Sequence, residues 1–128
     1  MRFMCMVKSA ETWRAGPPPK SLFEAIGQLG EEATKAGVMV EMGGLLPTSA
    51  GARVTLSSGK VSVTDGPFTE AKEVVGGYAV YDVKSKKEAI EWSKRFMDLH
   101  KEHWKGWEGE VEIRQLMEAP PELGCAQG

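Results

Sequence analysis

The sequence predicts an α+β fold, with two helices covering one face of a mostly antiparallel sheet. Three observations lead there. Two segments carry apolar residues at helical spacing, each opened by a Ser with a Glu three residues on. Short Val- and Met-rich runs lie between turns marked by Gly and Pro. The elements follow one another as strand-helix-strand, a hairpin, then strand-helix-strand. The 128 residues suffice for one domain with a real core and not for two. That domain is placed at residues 1–119, with 120–128 as a frayed tail after Pro120-Pro121.

Arg2 to Lys8 reads as the first strand, with Phe3, Cys5 and Val7 on one face and Met4 and Met6 on the other. Apolar residues on both faces point to a strand covered on both sides. Trp13 to Lys20 is a loop that Pro17-Pro18-Pro19 holds extended. Ser21 and Glu24 have the capping-box spacing, so a helix is expected from Ser21 to about Ala36, stopped by Gly37. Its apolar face is Leu22, Ile26, Leu29 and Ala33. Gly27 and Gly30 weaken it, each by roughly 1 kcal/mol relative to Ala, and would permit close packing against another backbone. Val38 to Met42 is the second strand. Ala52–Leu56 and Val61–Thr64 form a hairpin around Ser57-Ser58-Gly59-Lys60. Val74 to Val83 is the longest strand. Ser85 caps a second helix with Glu88 at the box position; Ala89, Trp92, Phe96, His100 and His103 share its inner face. Gly106 to Gly109 ends that helix, and Glu110 to Leu116 closes the chain as a strand.

The whole is a ferredoxin-like arrangement, β-α-β-β-β-α-β in outline, with an antiparallel sheet. Two helices cover one sheet face only. A second copy of the chain, sheet against sheet, is the expected cover for the other, so the protein should be a homodimer.

Composition narrows the function. A net charge of −2 and the absence of a basic stripe argue against nucleic-acid binding. No apolar run is long enough to span a bilayer, and Met1 to Val7 lacks the features of a signal peptide. A cytoplasmic location follows as the expectation. Cys5 and Cys125 have no metal-type spacing, and both are expected as free thiols, Cys5 buried and inert. No cofactor motif is present, neither a phosphate loop nor a nucleophile elbow. His100 and His103 lack the further ligands that a metal needs.

The most informative segment is Asp65-Gly66-Pro67-Phe68-Thr69-Glu70. Two carboxylates flank a rigid turn that carries one large apolar residue, and Lys72-Glu73 and Gly76-Gly77-Tyr78 follow. Asp65 has two readings: a cap for the amide of Phe68 or Thr69, or a carboxylate aimed into a pocket. Arg53, if it points inward, requires a partner, and Asp65, Glu70 and Glu41 are available. Such an Arg can hold a carboxylate or phosphate, and Arg114 is a second candidate. Glu70 with Lys72-Glu73 can equally be a solvated charge run. Gly76-Gly77 either lets a ligand approach Tyr78 closely or marks a bulge. His100, on an apolar helix face, is either a hydrogen-bonded core residue or a group for acid–base work.

Asp65-Gly66-Pro67-Phe68-Thr69-Glu70-x-Lys72-Glu73-x-x-Gly76-Gly77-Tyr78 resembles the YCII-related family, in its branch named for the Asp-Gly-Pro-Phe motif. Gly44-Leu45-Leu46-Pro47, Arg53-Val54 and Val111-Glu112-Ile113-Arg114 are similar to its flanking segments. The resemblance runs from about Met1 to Met117. It implies a dimeric α+β barrel of two ferredoxin-like subunits, with a pocket lined by motif residues near the dimer interface. It implies a possible enzymatic role through a His-Asp pair, and association with extracytoplasmic-function sigma factors. No histidine precedes His100, so a first-half partner for Asp65 is missing here.

The leading expectation is a homodimer that binds a small polar or anionic molecule near its interface. Asp65 would be the catalytic base if there is catalysis, with Arg53, Glu70, Tyr78 and His100 as ligand-binding residues. The rival is a regulatory or interaction protein in which the motif serves only to build the dimer.

Overall fold

The computed structural model describes residues 1–11 and 16–118. The expected tail over 120–128, Cys125 and part of the loop before the first helix lie outside them. The elements are β1 (Arg2–Ser9), α1 (Lys20–Lys35), β2 (Met39–Gly44), a 3₁₀ turn (Thr48–Ala50), β3 (Ala52–Ser57), β4 (Lys60–Asp65), β5 (Val74–Asp82), α2 (Lys86–His103) and β6 (Glu110–Gln115). There are six strands, the number that the segment-by-segment reading gives and one more than the β-α-β-β-β-α-β outline.

Four strands form the main sheet in the order β2-β5-β1-β6, with every neighbouring pair antiparallel. The two strand-helix-strand units interlock, since β5 lies between β1 and β2, and β1 between β5 and β6. This is the ferredoxin-like α+β fold. The hairpin does not extend the sheet: β3 and β4 pair only with each other. Ser58 and Gly59 at its tip both have positive φ, 51° and 76°, as a two-residue type I′ turn requires.

The helices cover one face. Phe3, Cys5, Tyr81, Ala33, Val83 and Ala89 form the core, with Trp92 of α2 stacked on Tyr81 at 6.1 Å. The helices run antiparallel: Ser21 at the start of α1 meets His103 at the end of α2 at 3.1 Å, and Glu32 pairs with Arg95. Ser21 is therefore not the N-cap. Lys20 begins the helix, extended Pro19 precedes it, and no side chain caps it. At α2 the cap is as expected, Ser85 accepting from the Glu88 amide at 3.3 Å. Gly30 makes room for the Met42 side chain, since a Cβ there would lie 2.8 Å from its Sδ; no neighbour lies within 4 Å at Gly27. Neither glycine meets another backbone.

On the open face Met4, Met6 and Tyr78 are half-buried, and Val80 is buried between its cross-strand partners Met4 and Glu41. Charged pairs flank this apolar centre on the β6 side: Lys8–Glu112 at 3.2 Å and Arg114–Glu112 at 3.2 Å. The face is thus apolar only in the middle. Among the described residues no helix is long and apolar enough to cross a membrane.

Candidate functional site

The motif residues assemble into a seat for the hairpin. Glu11, just beyond β1, accepts from the Thr48 amide at 2.6 Å and from its hydroxyl at 2.7 Å. These bonds, the amide first, hold the Glu11 carboxyl below its ordinary range. The Thr48 hydroxyl in turn accepts from the Phe68 amide at 3.1 Å. Gly66 donates to the Gly51 carbonyl at 2.9 Å, and a Cβ on Gly66 would lie 1.6 Å from the Thr48 carbonyl oxygen. The Phe68 amide, one of the two that the cap reading offered to Asp65, is taken by Thr48.

The predicted site residues do not share one pocket. Arg53 pairs with Glu70 and lies 4.0 Å over the Phe68 ring, so Phe68 is a platform for its guanidinium. Glu70's own backbone amide and then Arg53 keep its carboxyl low. Asp65, opposite Ala52 in the register, projects from the hairpin face opposite to Arg53. It is exposed, and no described side chain bonds its carboxylate. Tyr78 lies on the open sheet face, donating to Glu41, which pushes the phenol up. Gly76 is the extra residue where the register of β1 and β5 shifts, so it marks a bulge. Gly77 permits a close approach, a Cβ there lying 3.2 Å from the Gly43 carbonyl oxygen.

His100 lines a cavity that Tyr78 also borders and that Asp65, Arg53 and Glu70 do not. Between the sheet and the two helices lies a cavity of about 480 Å³. Its floor includes Cys5, Val7 and Ala79; Leu22, Ile26 and Leu29 of α1 form one wall. Ser93, Phe96 and His100 of α2, with Trp104 and Trp107 beyond it, form the other. Phe23, Leu45, Leu46 and Glu11 stand at the exposed end. Trp104 and Trp107 stack at 5.7 Å, and His100 sits between Phe96 at 4.6 Å and Trp107 at 4.4 Å.

The polar groups deep in this cavity are few. Cys5 Sγ lies 3.5 Å from Ser93 Oγ, and burial pushes its thiol up, as expected for an inert thiol. Burial pushes the Tyr81 phenol up to about 12. Burial also lowers the basicity of His100, whose Nδ1 lies 3.0 Å from the Phe96 carbonyl oxygen. Trp104, Trp107 and Ser93 were missed from sequence. The one available signal was the His103-Trp104-x-x-Trp107 run directly after α2, which reads equally as an ordinary helix end. Among the described residues no three His, Cys, Asp or Glu side chains are grouped to hold a metal ion.

Residues 1–104 match the model of the YCII-related domain. A 60-residue stretch is 37% identical to an uncharacterized protein, R00369, of Rhizobium meliloti (strain 1021). That stretch is 47% of this chain and 48% of the relative, so the match spans about half the length of the curated protein.

Proposed function

The chain belongs to the YCII-related family, and from that premise we propose that it is a homodimeric binding protein for a small, largely apolar molecule held between sheet and helices. The cavity carries this reading. Its volume of about 480 Å³ falls in the range of small-molecule sites, and its lining is mostly aliphatic and aromatic with few polar groups. The ligand is therefore assigned to the cavity rather than to Asp65, Arg53 and Glu70, which lie exposed outside it; Tyr78 borders the cavity, with its hydroxyl on Glu41. Binding is favoured over acid–base catalysis. Besides His100, the titratable groups lining the cavity are Cys5, Tyr78, Tyr81 and Glu11. Cys5 and Tyr81 have raised values, Tyr78 bonds Glu41 on the open face, and Glu11 is already bonded to Thr48.

Homodimerisation is supported by a second observation. Val54, Leu56, Val61 and Val63 face one another in register on one side of the hairpin, and each is roughly seven-tenths exposed. Together with the apolar centre of the open sheet face they form surface that a second copy would cover.

The test is a thermal-shift screen of small apolar compounds on the wild type and on Ala79→Phe, which fills the cavity floor. A ligand at a hundred times its Kd stabilises by about 2.7 kcal/mol, which raises Tm by roughly 10 °C for a chain of this size. The wild type should show such shifts and the variant should lose them. A screen in which no apolar compound raises Tm overturns the reading.

A further inference from the structure

Within the cavity one atom stands apart. His100 is only 6% exposed, yet half of its hydrogen-bonding capacity is unused. The Phe96 carbonyl oxygen can only accept, so the Nδ1 facing it at 3.0 Å carries the proton. In the neutral ring this leaves Nε2 as a lone pair. No described side chain or backbone group bonds it. Yet no fully buried side-chain nitrogen or oxygen lacks a partner among the described residues. Nε2 therefore keeps contact with open space, and the open space that His100 lines is the cavity.

We infer that the cavity selects a flat, neutral aromatic molecule carrying one hydrogen-bond donor, a phenol or an N–H heterocycle, whose donor is received by His100 Nε2. This rests on the cavity reading above and adds the chemical class of the ligand. Three further observations support it. Phe96, Trp104 and Trp107 stand around the acceptor and present the flat surfaces that a ring packs on. No Lys or Arg is among the lining residues, and the one carboxylate, Glu11, is bonded to Thr48 at the exposed end. A ligand anion would be buried without a counter-charge, and a ligand cation would find its one counter-charge, Glu11, at the exposed end and a neutral imidazole at the deep end. A neutral hydrocarbon would leave Nε2 buried and unsatisfied, whereas a donor satisfies it.

Isothermal titration calorimetry on the whole chain with 2-naphthol, its methyl ether and 2-naphthoate tests this. The ether keeps the ring and the oxygen and loses the donor; the naphthoate adds a charge. The naphthol should bind about tenfold or more tightly than either. In His100→Phe the preference over the ether should shrink to about twofold or less. A measurement independent of any variant is the ¹⁵N resonance of His100 Nε2, which should move with the naphthol and stay in place with the ether. If naphthol and ether bind alike, or the naphthoate binds most tightly, the inference is overturned while the cavity reading stands. If none of the three binds and apolar compounds also fail in the thermal-shift screen, both fall together.

Discussion

Gly66 stands where no side chain fits. A methyl group at its Cβ would lie 1.6 Å from the carbonyl oxygen of Thr48, which is backbone and cannot swing aside. Gly66→Ala should therefore cost about 3 kcal/mol or more in a chemical denaturation experiment. A loss below about 0.5 kcal/mol, the usual range of surface changes, would mean that the seat is looser than described. The motif was legible as a motif, and its meaning was not. Asp65 drew attention because a carboxylate beside a turn suggests chemistry. The residue that organises the segment is Thr48, 20 positions before Phe68. A single sequence does not reveal which hydroxyl meets which amide across that distance. His100 shows the same limit: its burial on a helix face was legible, but the Phe96 bond that selects its tautomer depends on rotamers. Burial gives His100 a testable pH dependence. Its folded pKa lies below the ordinary 6.5. Above 6.5 neither state holds the proton, and the stability is full. As the pH falls below 6.5 the unfolded chain takes the proton first, so stability drops until the pH passes the folded value. Wild type should lose stability as the pH falls below about 6.5, and His100→Phe should flatten that slope. Equal slopes in the two proteins would contradict the assignment.

At the scale of elements, the two Ser-x-x-Glu signals had different outcomes for a physical reason. Ser85 precedes the first residue of α2 and has extended backbone, φ −157° and ψ 161°, so its hydroxyl can reach the Glu88 amide. Ser21 follows a proline-held extended run that lets α1 begin at Lys20, one residue earlier. It is already inside the helix, and its hydroxyl turns to His103 instead. Ser85→Ala should cost about 1 kcal/mol, and Ser21→Ala, which loses one exposed contact, at most about 0.5 kcal/mol. Urea denaturation of the pair measures the difference; a reversed ranking would contradict the cap assignment. Element identity and order were readable from apolar period and turn residues. The separation of the hairpin from the main sheet was not, because alternation along a strand does not say which strand lies beside it.

At the scale of the molecule, the ferredoxin-like arrangement of two helices on one sheet was legible because each β-α-β unit has few ways to pack. The cavity was not, since it is defined by what the side chains of six elements and the loops between them leave unfilled. The apolar hairpin face offers the corresponding test. Val54 and Leu56 are highly exposed in the single chain. Val54→Glu with Leu56→Glu should leave the circular dichroism of the fold unchanged, while sedimentation shifts from dimer to monomer. A doubly substituted protein that sediments as a dimer would place the interface elsewhere.

The way Thr48 holds the hairpin has a mechanical consequence. Six residues per arm make a lever roughly 20 Å long, pivoting on one hydroxyl and one glycine. A tilt of about 10° at that pivot would sweep the tip through about 3 Å, the span of a hydrogen bond. Small changes near residue 48 are thereby magnified at the far end. Glu11 and Pro47, at the open end of the cavity, flank that same pivot. A molecule at the cavity rim would therefore touch the residues on which the hairpin is seated.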